Sequence, residues 1–247
     1  MTCDRSTSRT TVATAIAVAV ASLAGTALAA HPARAAADGR PLGHDVSSYQ
    51  KHIDWRAVRA KGARFVYVKA TESDGYRNPR FAAQYNGSRA AGLLHGAYHF
   101  AVPSASSGTR QAHSFLRHGG RGKRDGWTLP PALDIEHNPY DGKQPCFGLS
   151  SAALVRWIRA FSDEVRRDAG RRPVIYTTAR WWNRCTGGSR AFGGDHPLWL
   201  ADYSGGARTP AGWSFSSIVQ YASHGRLPGD QDRWNGTVAQ LKRFANR

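Results

Sequence analysis

The sequence predicts an α/β protein built as a parallel barrel with an irregular closing side. Three observations lead there. Five strand-like apolar runs alternate with helical patterns between residues 43 and 178. Three more strand-like runs follow without long helices between them. No glycine-rich phosphate loop follows the first run, which argues against an open doubly wound sheet.

Each element has a local reason. "GHDVSSY" opens the series and a short helix follows near "DWRAVRAKG". "RFVYVKATE" is the second strand, rich in β-branched and aromatic residues. Asn78 is expected to cap a helix with Pro79 in its first turn and Gly92 as its stop. "LLHGAYHFA" is the third strand, and a helix over 107–118 ends at Gly119 and Gly120. "PALDIE" is the fourth strand. The next helix starts at Ser150 or Ser151, carries Leu154, Trp157, Ile158, Phe161 and Val165 on one face, and is ended by Gly170 and Pro173. "PVIYTT" is the fifth strand; "PLWLADY", "SIVQYA" and the segment around "DQDRW" supply the closing strands.

The first residues read as a secretory leader. Arg5 and Arg9 precede the small, apolar "TVATAIAVAVASLAGTALA", and "ALA" ending at Ala29 or "ARA" ending at Ala35 offers a cleavage site. The apolar core from Thr11 to Ala24 is short against the ~20 residues of a spanning helix. Residues 1–35 are therefore assigned to the leader and 36–247 to a single domain, secreted, without a membrane span and expected to be a monomer. Its charge is large: +17 for the whole chain, and +15 once Arg5, Arg9, Arg34 and Asp4 are removed. Such a surface favours polyanions, and for a secreted protein the candidates are an anionic cell wall, a membrane surface or extracellular nucleic acid. The arginines are dispersed, and neither zinc-finger spacing nor an RNA-recognition aromatic motif occurs, so nucleic acid is not expected. Without Cys3, Cys146 and Cys185 remain, and in an oxidising compartment they are expected to pair.

The chemistry concentrates where strands end, the face on which barrels of this kind work. In "PPALDIEHNPY", Asp134 and Glu136 flank Ile135, so in an extended segment both carboxylates point to one side while Leu133 and Ile135 face outer helices. Asp45 lies in the first strand, and Lys69 and Glu72 end the second. Tyr98 and His99 end the third, Tyr176 lies in the fifth, and Trp199, Asp202 and Tyr203 belong to the sixth. Gln220 and Tyr221 end the seventh, and Asp230 begins the last segment. Acids, one lysine and many aromatics on one rim describe a sugar site. No His/Asp/Glu spacing supports a metal and no cofactor is expected; His99 reads more readily as a structural histidine than as a metal ligand, and Lys69 more readily as a counter-charge than as a reactant.

"DVSSYQ", "FVYVKATE", "GAYHFA", "LDIE", "WLADY" and "VQYASHG…GDQDRWNG", in this order from about Gly43 to about Phe244, resemble the family 25 glycoside hydrolases. That resemblance implies a flattened (β/α)5β3 barrel of the TIM-like kind and a lysozyme that cuts peptidoglycan beside N-acetylmuramic acid. It puts the family's first-strand aspartate on Asp45 and its strand-four pair on Asp134 and Glu136, with Glu136 as proton donor. The acid of the closing segment, usually Val-Asp-x-Asn, falls on Asp230 in "GDQD"; here a glycine replaces the valine and Asp232 the asparagine, so Asp232 competes for the role. The family's "KATEG" is altered as well, Ser73 following Glu72, and Glu72 is assigned as a substrate-side or structural acid. The implied catalytic set is thus Glu136, Asp134, Asp45 and Asp230. Lys69, Glu72, Tyr98, His99, Tyr176, Trp199, Asp202, Tyr203 and Gln220 are the candidates for binding substrate. Two other readings are a hydrolase of another aminosugar polymer such as chitin and a wall-binding barrel without activity. The latter would lack an acid, and none is missing.

Overall fold

The computed structural model describes residues 39–206 and 208–246; the leader and Cys3 lie outside the described residues. Eight strands close a barrel: β1 (Leu42–Val46), β2 (Ala63–Glu72), β4 (Leu94–Phe100), β5 (Ala132–Asp134), β6 (Val174–Thr177), β7 (Leu198–Ala201), β8 (Ile218–Ala222) and β9 (Asp230–Trp234), with β3 (Tyr76–Arg77) hairpinned onto the end of β2. Neighbours in the barrel are parallel except β9, which runs antiparallel to both β8 and β1. The β1–β2 pairing completes the circle.

Alternation along each strand decides what faces inward. Phe65 and Tyr67 of β2, Leu94 and Tyr98 of β4, Tyr176 of β6, Trp199 of β7 and Trp234 of β9 fill the barrel interior as one cluster. These rings need room, and glycines supply it: a Cβ on Gly96 would lie 2.4 Å from the Tyr67 ring. The opposite parity faces the helices. Leu133, Ile135, Ile175 and Leu200 pack on α3 (Gly108–Phe115), α4 (Ser151–Ala169) and α5 (Ala179–Cys185) through Phe115, Trp157, Phe161 and Trp182. α1 (Trp55–Ala60) and α2 (Phe81–Ala90) cover β1 and β2, where Val58 joins Val46, Val66 and Val68.

The helix starts follow from capping. Asp54, Ser107, Ser150 and Thr178 each accept a hydrogen bond from the backbone N–H three residues on. Gly170 ends α4 in the left-handed conformation. The assignment of Asn78 as a cap needs correction. α2 begins at Phe81, and the Asn78 Oδ1 accepts from the Arg80 N–H at 2.9 Å in a turn before the helix, while its Nδ2 donates to the Lys69 carbonyl at 2.7 Å. Asn78 is 5 % exposed, so it ties the chain to β2 rather than starting a helix. The fourth predicted strand is shorter than "PALDIE", ending at Asp134, so Glu136 stands on the loop above the ladder.

One element was not expected. α6 (Val238–Asn246) places Leu241, Phe244 and Ala245 in the same cluster as the barrel interior, stoppering the end opposite the strand carboxyl termini. Thr237 and Gln240 form a reciprocal capping box: the Thr237 N–H donates to Gln240 Oε1 at 2.7 Å, and the Gln240 N–H to Thr237 Oγ1 at 3.2 Å. Cys146 and Cys185 are joined with a Cα–Cα distance of 5.3 Å, fastening the loop after β5 to the last residue of α5.

Candidate active site

Inward-facing positions at the carboxyl ends of the strands converge on a cleft of about 210 Å³. Asp45 comes from β1, Lys69 from β2, Tyr98 from β4, Asp134 and Glu136 from β5 and its loop, Tyr176 from β6, Gln220 from β8 and Asp230 from β9. β9 runs against its neighbours, so its first residue, not its last, reaches this rim; Asp230 therefore stands opposite Asp45 in register. Asp232, two residues on, points the same way but lies one layer down, fully buried and accepting the Trp199 Nε1–H at 2.8 Å. Asp230 is the closing-segment acid that lines the cleft, and Asp232 supports the floor.

Gly229 makes this crossing possible. Its φ is +75°, and a Cβ there would sit 2.0 Å from the Asp45 carbonyl oxygen. Ser73 is a second departure with a backbone consequence. It adopts φ +52°, where an L-residue carries strain that the glycine usual in the resembling motif would avoid.

Hydrogen bonds fix the acids. Gln220 Nε2 donates to Asp45 Oδ2 at 2.8 Å, while Gln220 Oε1 accepts from the hydroxyls of Tyr176 at 2.8 Å and Tyr203 at 2.7 Å. Asp232 lies beneath Asp45, and burial together with the Asp45 charge holds the Asp232 carboxyl well above the usual carboxylate range. Lys69 Nζ is paired with Glu72 at 2.5 Å and lies 4.6 Å from the centre of the Phe100 ring. Asp134 lines the cleft, is 8 % exposed, and its Oδ1 is buried without a donor among the described residues; Asp232 Oδ2 is also without one, but in the layer below.

Burial of so many acids raises their pKa values. Asp45 is pushed up to about 8, first by burial and then by Asp230. Glu136 is raised to about 7 by burial and by Asp230, with Lys69 opposing. Asp134 is held well above the usual carboxylate range by burial and by Glu136. Asp134 was expected to be the anionic member of the pair; burial and Glu136 work against its charge, and a donor reaching Oδ1 would favour it. Glu136, near 7, is poised to hold or release a proton at neutral pH.

Some predicted residues fall outside the cleft. His99 faces the helices: fully buried, its Nδ1 meets Thr71 Oγ1 at 2.9 Å, its Nε2 meets Gln111 Oε1 at 3.0 Å, and its ring stacks on Phe161 at 5.1 Å. Adjacent strand residues point to opposite faces, so Tyr98 and His99 cannot both reach the site. Tyr221 is likewise turned out, beneath Arg233 at 4.9 Å. Trp199 forms the floor but is 2 % exposed, which leaves no face for a sugar. Asp202 turns Oδ1 into its own loop, accepting from the Ser204 N–H and hydroxyl and the Gly205 N–H. Glu72 serves Lys69. Tyr49 was overlooked: it lines the cleft and is 88 % exposed, an open ring beside the acids. Its signal was the aromatic placed just past the strand-one aspartate in "DVSSYQ".

The raised acids have a measurable consequence. Their folded pKa values exceed the unfolded ones, so they bind more protons when folded and cost stability as pH rises from about 4 towards 8. His44, His99 and His196, lowered to about 4 by burial, act oppositely, but only up to their unfolded value of 6.5. Between pH 6.5 and 8 the acids act alone. Urea midpoints should therefore fall across that window, and Asp45→Asn should flatten the fall; a constant or rising midpoint would contradict the protonated cluster.

The sequence profile of glycosyl hydrolases family 25 matches residues 44–230. The chain is 42 % identical over 228 residues to the N,O-diacetylmuramidase of Arthroderma benhamiae, covering 92 % of this chain and 96 % of that protein. It is 43 % identical to Lysozyme M1 of Streptomyces globisporus over 210 residues, 83 % of this chain and 71 % of the relative. The muramidase of Acremonium alcalophilum superposes with a TM-score of 0.81 at 43 % identity, covering 84 % of this chain and 99 % of that structure.

Proposed function

Because the chain belongs to glycosyl hydrolases family 25, we propose that this glycoside hydrolase is a secreted lysozyme cutting peptidoglycan at the β-1,4 bond between N-acetylmuramic acid and N-acetylglucosamine. The observation that carries the mechanism is Asp134 Oδ1, a buried acceptor in the cleft wall without a protein donor. An acetamido N–H of a bound aminosugar is the donor it suits. In this reading Glu136 gives its proton to the glycosidic oxygen as the C1–O bond breaks, and the neighbouring 2-acetamido oxygen bonds to C1. Asp134 gives up its proton to solvent as the acetamido N–H reaches Oδ1, and the resulting carboxylate stabilises the positive charge that grows on that ring. Water then adds to C1, returns a proton to Glu136 and frees the acetamido group. Burial and the charge of Asp230 keep Glu136 protonated before the bond breaks, and Gln220 fixes Asp45 beside them. Lys69 keeps the cluster from becoming wholly neutral.

Among the described residues no helix is long and apolar enough to cross a membrane. Export rests on the leader, and the basic surface is the means of approach to an anionic wall. A monomer suffices, since the cleft draws every group from one chain. Mass spectrometry of digests tests the reading: purified peptidoglycan should acquire new reducing ends at N-acetylmuramic acid. New N-acetylglucosamine ends, or cleavage of chitin in preference to wall, would refute it.

A further inference from the structure

The cleft does not stop at the acids. It shares Glu136 and Tyr176 with a second depression of about 360 Å³. That depression shares Thr178 and Arg180 with a third of about 270 Å³, bordered by His137, Pro145, Trp181 and Arg184. The track thus runs from a cluster of carboxyl groups to an end with two arginines and no acid among its lining residues.

This end is built rather than incidental. Trp181 Nε1 donates to the Pro145 carbonyl at 2.8 Å, and the Asn138 Nδ2 donates to the Gln144 carbonyl at 3.1 Å. The Cys146–Cys185 bridge ties the residue after Pro145 to the residue after Arg184. Some arginines of the helical shell have acidic partners, Arg121 with Asp168, Arg167 with Glu164, and Arg172 with Asp163 and Asp195, and others, such as Arg89 and Arg159, lie over aromatic rings. Arg180 and Arg184 are exposed and enter no ion pair among the described residues. The second depression is intermediate, lined by Asp202 and Glu136 as well as by Arg180.

We propose that this third depression is a carboxylate subsite, in which Arg180 and Arg184 hold an acidic substituent of the glycan while its backbone lies along the acids. The proposal rests on the peptidoglycan reading. Such a polymer offers two carboxylates of this chemistry: those of the stem peptide and, where peptides have been removed, the lactyl group of muramic acid. A planar guanidinium matches either bidentately.

The test uses three substrates: intact peptidoglycan, glycan stripped of stem peptides by an amidase, and stripped glycan whose lactyl carboxylates have been converted to amides. The variant is Arg180→Gln with Arg184→Gln, both at exposed positions. On the substrate that supplies the carboxylate, KM should rise roughly 3- to 10-fold with kcat within about twofold, an exposed charge-assisted contact being weaker than a buried one. A rise on intact wall alone names the stem peptide; a rise on stripped glycan names the lactyl group. On the amidated glycan the variant and the parent enzyme should coincide. An unchanged KM on both carboxylate substrates, or an equal rise on the amidated one, overturns the proposal. Failure of the parent enzyme to cut any of the three would instead refute the muramidase reading.

Discussion

Glu136→Gln is expected to lower kcat on peptidoglycan by at least ~10²–10⁴-fold, the usual cost of removing a general acid. The amide keeps the size of the side chain but has no proton acidic enough to give the leaving oxygen. Three observations single out Glu136. It projects above the last ladder residue of β5 into the cleft, it is more exposed than Asp134, and its pKa lies at about 7. Wall binding should persist. An aryl glycoside of the same sugar, which leaves without protonation, should be partly spared. Asp134→Asn should instead lose rate on both substrates, because charge on the ring needs stabilising whatever leaves. If Glu136→Gln loses equally on both while Asp134→Asn is rescued by the better leaving group, the two roles are exchanged.

Gly229→Ala should damage stability and activity together although residue 229 bears no chemistry. The methyl would meet the Asp45 carbonyl oxygen at 2.0 Å and Val46 Cγ1 at 3.2 Å, and backbone cannot swing aside as a side chain can. The left-handed φ adds ~1–2 kcal/mol, and the steric conflict brings the expected loss to at least ~3 kcal/mol. For a domain of this length that is a fall of roughly 6–12 °C in Tm. Because β1 and β9 are in register at Asp45 and Asp230, relief of the clash must part these two acids. Activity at a temperature where the variant remains folded should therefore still be reduced. Full activity there, with only Tm lowered, would mean that the spacing of Asp45 and Asp230 is not critical.

The barrel was legible because its strands keep period two and its helices begin at capping residues. "LDIE" separates inward from outward residues without further information, whereas in "RFVYVKATE" the alternation holds only as far as Lys69, where the register with β4 shifts. What was lost came from treating neighbours as a unit. Tyr98 and His99 were grouped by sequence, yet the pleat sends one ring into the barrel and the other onto Phe161. Asp230 and Asp232 have the same parity, and only their depth, set by the reversed direction of β9, tells them apart. Trp199 was a candidate for binding substrate, but packing of Tyr67 and Tyr176 against it, at 4.8 and 4.9 Å, covers its faces. The terminal helix was missed although Thr237 and Gln240 spell its capping box, because the segment before it had been read for its acids. The basic depression beside α5 lies outside strand logic altogether: it arises where a loop and a helix, far apart in sequence, are bridged.

The pairing of β1 with β9 ties folding to the end of synthesis. The first strand of the barrel has one permanent neighbour in β2, available early, and another that begins only at Asp230. Until that segment and α6 emerge, the interior has neither its last wall nor its stopper. A nascent chain of this topology stays open for most of its translation, since contacts so distant in sequence are slow to close. The same closure that buries the cluster of acids thus delays the compact state until the last strand has been made.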